Sequence, residues 1–462
     1  MRNLLPPAIV LVFVWASALL AATPAQQQSL QSRISQLEAE TQALRGELQS
    51  LREDPVRLPK VQATPASLSN SMFDLQADDE KQFFTLEELQ GEMKKFAWTK
   101  GDFKIVPYGY LWANMVYETE RTYVGDYTLW AISAGDEGED AFHVNAKSTR
   151  LGLNVAGPRL RWFNCAPSGG KIEFDFQGSY TVENKPGVLL RHAYWEVKNS
   201  DFRLLAGQTW DVVSPLLPGT IMYSVYWGAG NIGYRRPQFR AERYLAFSDT
   251  FLLTLQGSLN TDASSDFTTG KIENGDHSGW PLLEGRTAVT LGRRGKYFRP
   301  IVVGASGHIG EVLIDFGTRD DAPIRTWSFN VDLRAPITDR LGFQGEFFTG
   351  ENLGSFLGGI VQGIDVPGQR PIRSTGGWME IWYDLTSDLH THVGYTIDDP
   401  DDNDVSAGGN GRTYNHAYWG NIVYDVTDSF LVGFEVGSWR TLYTDKRPGE
   451  SVRFEFMARY GF

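Results

Sequence analysis

The sequence predicts an all-β protein: a sixteen-stranded antiparallel transmembrane β-barrel that follows an N-terminal periplasmic coiled-coil helix. Three observations predict this class. Many segments alternate apolar and polar residues, the chain opens with a secretory signal, and it ends in phenylalanine. Strands with one apolar and one polar face suit a barrel that contacts lipid outside and water inside.

Composition narrows the choice of fold and partner. The chain has 462 residues, 13% aromatic residues and a net charge of −13. Its mean hydropathy of −0.30 is too low for a bundle of membrane helices. Aromatic residues suit the two girdles of a barrel, whereas the negative charge argues against nucleic acid as a partner. The single cysteine, Cys165, allows no disulfide within the chain.

Residues 1–25 are predicted to be a signal peptide. Arg2 supplies the positive start, Ile9–Leu20 is the apolar core, and small residues between Ala22 and Ala25 allow cleavage. An uncleaved anchor helix is the alternative, although the apolar run is short for a membrane span. The mature chain is therefore expected in the bacterial outer membrane, with its N-terminal segment in the periplasm.

Residues 26–53 carry a seven-residue repeat that predicts a parallel coiled coil. The core positions of the repeat are Leu30, Ile34, Leu37, Thr41, Leu44, Leu48 and Leu51. Oppositely charged residues flank this seam, as Arg33 and Glu38 do. One helix cannot bury its own seam, so the repeat predicts a homo-oligomer and leaves the number of helices open. A single amphipathic helix on another surface is the alternative.

Residues 54–102 are predicted to be a linker followed by a short periplasmic helix. The stretch 54–82 has no apolar period and contains Pro, Ser and Asp. Thr85-Leu-Glu-Glu88 then fits a capping box, so a helix should run to about Phe96 at the periplasmic mouth.

Residues 103–462 are predicted to form the barrel. Val452–Phe462 is the clearest strand, with Phe454 and Phe456 on one face and Arg453 and Glu455 on the other. Short polar turns alternate with long Gly- and Asp-rich connections, as periplasmic turns and external loops do. An even strand number places both termini in the periplasm. A soluble β-sandwich or propeller is the alternative.

Two further features of the barrel region stand out. A strand is expected over 140–156, and the connection 157–170 that follows it is longer than expected for a periplasmic turn. Tyr460 and Phe462 resemble the C-terminal signal by which the barrel assembly machinery recognises outer-membrane barrels.

The third long connection, residues 212–235, is predicted to fold inward and narrow the bore. The prediction rests on analogy with trimeric porins, and an outward loop at a subunit contact is the alternative. The next strand has Arg236, Gln238, Arg240 and Glu242 on one face. That face should point into the lumen, because arginine in lipid costs roughly 2–4 kcal/mol near the midplane.

The candidate lumen-facing residues that could set selectivity are Arg150, Arg191, Arg203, Arg236, Gln238, Arg240 and Glu242. Clustered guanidinium groups attract carboxylates by charge and by bidentate hydrogen bonds. The alternative is a ladder of interior charges that pair across strands.

No catalytic site, cofactor or metal is predicted. His390 and His392 share a strand face but lack a third ligand, so polar lining is the favoured interpretation. The acidic run Asp398–Asp404 lacks the spacing of a calcium loop and is expected to be a solvated loop. The chain also has no Gly-x-Ser-x-Gly nucleophile elbow.

Three short segments resemble DcaP-like outer-membrane porins: Ser148-Thr-Arg-Leu-Gly152, Leu190-Arg-His-Ala-Tyr194 and Ala206-Gly-Gln-Thr-Trp210. The order of signal peptide, coiled coil and barrel is similar to that family as well. The resemblance implies a trimeric channel with a periplasmic coiled-coil stalk. It also implies solutes that are small and negatively charged, dicarboxylates among them.

The sequence thus favours a passive diffusion channel for small hydrophilic solutes with a preference for anions. The expected partners are two further copies in a homotrimer, outer-membrane lipid and lipopolysaccharide, the assembly machinery, and small anionic or polar solutes. The alternative is a structural anchor whose coiled coil tethers the outer membrane to the cell wall.

Overall fold

A computed structural model describes residues 97–135, 139–178, 186–261, 279–295, 298–314, 322–407 and 411–462. The predicted signal peptide (1–25), the coiled coil (26–53) and the helix ending near residue 96 lie outside these residues. Within the described ranges, no helix is both long enough and apolar enough to cross a membrane.

The strands are β1 Trp98–Lys100, β2 Phe103–Glu118, β3 Thr122–Val124, β4 Thr128–Ala131, β5 Ala141–Asn145, β6 Arg150–Leu160, β7 Ala166–Gly178, β8 Gly187–Lys198, β9 Phe202–Trp210, β10 Arg235–Ser248, β11 Phe251–Asn260, β12 Leu282–Leu291, β13 Ile301–Ile314, β14 Ala322–Pro336, β15 Leu341–Glu351, β16 Ile364–Asp365, β17 Arg370–Pro371, β18 Arg373–Asp384, β19 Leu389–Pro400, β20 Arg412–Thr427, β21 Phe430–Tyr443 and β22 Gly449–Gly461. Short 3-10 helices cover Arg161–Phe163, Gly354–Phe356 and Asp402–Asp404.

Sixteen barrel strands close into one antiparallel barrel, which confirms the predicted barrel class. They are β2, β5 and β6 counted as one interrupted strand, β7 to β15, and β18 to β22. The last strand pairs with the first long one, from Tyr110 opposite Gly461 to Glu118 opposite Arg453. This pairing leaves the barrel sheet without a free edge, which is the condition for crossing lipid with strands.

The two faces of the strands are as different as the alternation predicts. In β22, Phe454 and Phe456 point outward and are 37% and 40% exposed, whereas Arg453 and Glu455 point inward and are 3% and 1% exposed. Because lipid favours apolar side chains and the interior carries the charges, this is the arrangement of a membrane barrel.

Both ends of the described chain lie at the barrel end with the short turns. The Phe462 backbone N–H donates to the Gly109 carbonyl over 3.0 Å, which ties the last residue to β2. Tyr460 points outward and is 53% exposed. The role of Tyr460 and Phe462 in assembly stays a prediction.

The structure corrects the sequence reading between residues 140 and 170. The strand expected over 140–156 is broken after Asn145, and the Thr149 hydroxyl there accepts a hydrogen bond from the Trp112 backbone N–H over 3.1 Å. The predicted long connection 157–170 was wrong, because β6 continues to Leu160 and β7 begins at Ala166. The prolines of this stretch lie at a bulge and near a strand start, where a missing N–H is tolerated.

Candidate pore constriction

The third loop, residues 211–234, lies inside the barrel. Every residue in it is buried or half-buried. Its ends meet, since the Asp211 backbone N–H donates to the Tyr234 carbonyl over 2.8 Å. Farther along, Tyr223 donates to Asp175 of β7 over 3.0 Å, and Thr220 donates to Glu435 of β21 over 2.6 Å. The loop therefore contacts the wall at two separate places, which confirms the predicted inward course.

Two further connections also fold inward, and the sequence analysis missed both. They are the hairpin of β3 and β4 and the sixth loop, residues 352–372, of which 352–365 are buried or half-buried. With the third loop they share an apolar cluster formed by Leu129, Trp130, Trp210, Leu217, Trp227, Leu357, Ile360 and Val361. The available signal was the apolar run Leu353-Gly-Ser-Phe-Leu-Gly-Gly-Ile-Val361, which is too apolar for a loop in water.

Arg236 joins the wall to the third and sixth loops. Its Nε lies 2.8 Å from the Asp211 carboxylate of the third loop, and its guanidinium donates to the Ser355 carbonyl of the sixth loop over 3.1 Å. The Phe356 ring centre is 3.8 Å from the guanidinium carbon. Burial raises the pKa of the Asp211 carboxyl above its usual range, and the Arg236 charge opposes that rise.

Gln238, Arg240 and Glu242 face inward beside Arg236 and are nearly fully buried. Arg240 donates to the Gln238 side chain over 2.8 Å and lies 3.4 Å from Glu242, and it also reaches the Trp210 carbonyl. Arg203 lies 3.4 Å from the same Glu242 and bonds to Glu196. Arg203 and Arg240 are therefore paired with carboxylates, as expected for the alternative in which interior charges form a ladder of pairs across strands.

Arg150 and Arg191 sit in a denser cluster on β6 to β8. Arg191 contacts Glu173 and Asp175 over 2.7 Å each, Arg150 is 3.5 Å from Glu173, and Lys171 is 3.4 Å from it. Three cations and two carboxylates thus meet in this part of the lumen.

Arg235, which the sequence analysis did not select, differs from its neighbours. Its side chain is 3% exposed, and none of its three nitrogens has a hydrogen-bond acceptor among the described residues. Its guanidinium carbon lies 4.6, 4.7 and 5.7 Å from the ring centres of Trp210, Tyr234 and Trp227. In the sequence, a neighbouring aromatic residue, Tyr234, was the one sign that Arg235 could pack against rings, and this sign is weak.

Arg459 of β22 is a second interior cation of this kind. Its guanidinium carbon lies 5.0 Å from the ring centre of Tyr110 and 5.8 Å from that of Trp112. Among the described residues it forms no ion pair within 4 Å, although the Asp425 carboxylate is close enough to act on its charge. It extends the positive lining from β6 across to β22.

The acidic run Asp398–Asp404 is only in part the solvated loop that the sequence suggested, because Asp399, Asp402 and Asn403 are exposed whereas Asp398 and Asp404 are buried. Asp398 is buried, accepts the Ile360 backbone N–H over 2.9 Å and so holds the sixth loop. Asp404 lies 2.7 Å from Arg373, whose hydrogen bond holds the pKa of the Asp404 carboxyl below its usual range. The two histidines on β19 are likewise engaged, His390 with Asp384 over 2.7 Å and His392 with Glu380 over 3.3 Å.

Comparison with known structures identifies the barrel type. The outer membrane channel DcaP of Acinetobacter baumannii aligns with a TM-score of 0.64 at 21% sequence identity, covering 79% of this chain and 99% of that one. The barrel has the fold of the DcaP channel. OmpF of Salmonella typhi, solved with daunomycin, aligns with a TM-score of 0.51 at 11% identity, over 79% of this chain and all of that one.

The similarity to DcaP is one of fold, since the identity is low. The sequence matches no protein-family model and no curated protein. The DcaP-like fold agrees with the resemblance found in the three short motifs, and one of them, Ala206–Trp210, ends on the tryptophan that contacts Arg235.

Proposed function

We propose that the protein is a passive outer-membrane diffusion channel for small hydrophilic solutes, with a preference for anions such as dicarboxylates. A closed barrel with a polar, charged interior supports the channel role, as does the fold shared with a protein described as an outer membrane channel. The observation that carries the anion preference is the Arg235 side chain.

Arg235 suits an anion because its charge has no carboxylate partner among the described residues. Taking a cation out of water costs several kcal/mol unless it is paired, and cation–π contacts recover only part of this, about 0.5–2 kcal/mol each. The side chain is 3% exposed, so Arg235 acts on a solute in the lumen through the field of its uncompensated charge and not by direct contact.

Single-channel recording with the purified protein in a planar bilayer tests the channel role. Discrete current steps are expected. The other candidate function, a structural anchor that tethers the outer membrane to the cell wall, requires no current. A folded oligomer that conducts no ions would defeat the channel proposal and favour the anchor.

We further propose a homotrimer in outer-membrane lipid and lipopolysaccharide, inserted by the barrel assembly machinery and joined below by the coiled coil of residues 26–53. Replacing two core positions, Leu37→Asp with Leu44→Asp, should lower the temperature at which trimers dissociate, because buried carboxylates disrupt the seam. Semi-native electrophoresis after stepwise heating measures this temperature.

The matched control for the stalk carries the same charges on the outer face of the helix, Gln36→Asp with Ala43→Asp. It should leave the dissociation temperature unchanged. Equal temperatures for the native chain, the core variant and the control would contradict a stalk that stabilises the trimer.

A further inference from the structure

Four wall glutamates accept hydrogen bonds from the backbone of the third loop. Glu284 of β12 accepts the Val212 N–H over 2.6 Å, and Glu346 of β15 accepts the Leu216 N–H over 2.7 Å. Glu380 of β18 accepts the Gly219 N–H over 2.6 Å, and Glu435 of β21 accepts the Ile221 N–H over 3.0 Å. Successive donors of the loop therefore meet carboxylates on four strands of the wall, of which β15 and β18 are neighbours.

These bonds suit a loop that lacks regular secondary structure. Buried backbone N–H groups need acceptors, and the loop supplies only some of them itself, as the Met222 carbonyl does for the Val225 N–H. Carboxylate acceptors give hydrogen bonds about twice as strong as neutral ones. All four glutamates are 7% exposed or less, so water competes little for them.

Glu435 has the richest set of contacts. Besides the Ile221 N–H, it accepts the Thr220 hydroxyl over 2.6 Å, the Tyr226 hydroxyl over 3.1 Å and the Asn421 amide over 2.9 Å. Tyr226 belongs to the returning half of the loop and stacks on Trp419, with ring centres 4.4 Å apart. The same carboxylate therefore binds both halves of the loop.

We infer that Glu284, Glu346, Glu380 and Glu435 are positioning residues that hold the third loop across the lumen and thereby set the width of the passage. That the loop sets the width of a path for solutes rests on the proposed channel function. The clamp itself is a property of the fold, so it can be tested whether or not ions flow.

The test measures how readily the clamped segment leaves the wall. Leu217→Cys in a Cys165→Ser background places one thiol in the segment between the bonds to Glu346 and Glu380, where Leu217 is 9% exposed. Its rate of reaction with a charged methanethiosulfonate reagent is compared before and after Glu346→Ala with Glu380→Ala. We expect the reaction to be at least roughly tenfold faster, because the loss of one hydrogen bond gives about that factor and this variant removes two.

Glu196→Ala is the matched control, because Glu196 of β8 is buried in the same wall but pairs with Arg203 of β9. It should leave the labelling rate unchanged. Equal rates in the clamp variant and the native protein, or equal acceleration by Glu196→Ala, would overturn the assignment. Glu380→Ala alone gives the same comparison if the double variant yields no heat-resistant folded barrel.

Current recording separates this inference from the proposed function. The clamp variant should show frequent transitions between conductance levels where the native channel is steady. A protein that conducts no ions would defeat the channel proposal, and the labelling comparison would still decide the clamp.

Discussion

Removing residues 213–232 and closing the gap with two glycines should raise the single-channel conductance roughly threefold or more. Sixteen strands enclose an aqueous bore, and the third loop occupies much of it. The barrel should survive the change because the loop ends already meet, with 2.8 Å between the Asp211 nitrogen and the Tyr234 carbonyl oxygen. Current steps in concentrated KCl, compared with those of the native protein, measure the effect.

The control for this deletion shortens a connection that does not enter the bore. Residues 444–447 between β21 and β22 are mostly exposed, and replacing them with two glycines should leave the conductance unchanged. A folded third-loop deletion that conducts like the native channel would show that the loop does not narrow the path.

Arg235→Gln and Glu173→Gln should shift ion selectivity in opposite directions. The first removes the positive charge without a carboxylate partner, so the preference for chloride over potassium should fall. The second removes a carboxylate shared by Arg150, Lys171 and Arg191, so that preference should rise. Through an effective dielectric constant of about 20, a unit charge contributes about 1 kcal/mol to an ion at roughly 16 Å, so each permeability ratio should change roughly fivefold.

Zero-current potentials in a KCl gradient measure both shifts. Arg325→Gln, which removes the same charge from an exposed position near the outer end of β14, serves as the control and should leave the potential unchanged. This expectation would be contradicted if the potential does not change with Arg235→Gln, or if it changes in the same direction for both variants. The charges of Arg235 and Glu173 would then not determine ion selectivity.

The strands could be predicted because their burial has a simple period. Both faces of β22 follow from alternation alone, and the interior orientation of Arg236 and Arg240 follows from the cost of arginine in lipid. The turn between β6 and β7 could not be read the same way, since prolines signal turns and bulged strands alike.

The state of each interior charge could not be predicted, because partners come from distant loops. Arg235 and Arg236 are neighbours of the same type, yet only Arg236 meets Asp211 and Phe356. Phe356 lies far along the chain in a loop whose inward course depends on Asp398 and on the shared apolar cluster. No local pattern indicates which of two adjacent guanidinium groups will be paired.

The zero-current potential of the native protein in a planar bilayer, with concentrated KCl on one side and dilute KCl on the other, tests the central claim most directly. If the Arg235 charge and the cations of β6 to β8 outweigh the wall glutamates, chloride crosses faster than potassium and the dilute side becomes negative. A dilute side that becomes positive would contradict anion selection, and a folded protein that passes no current would contradict the channel itself.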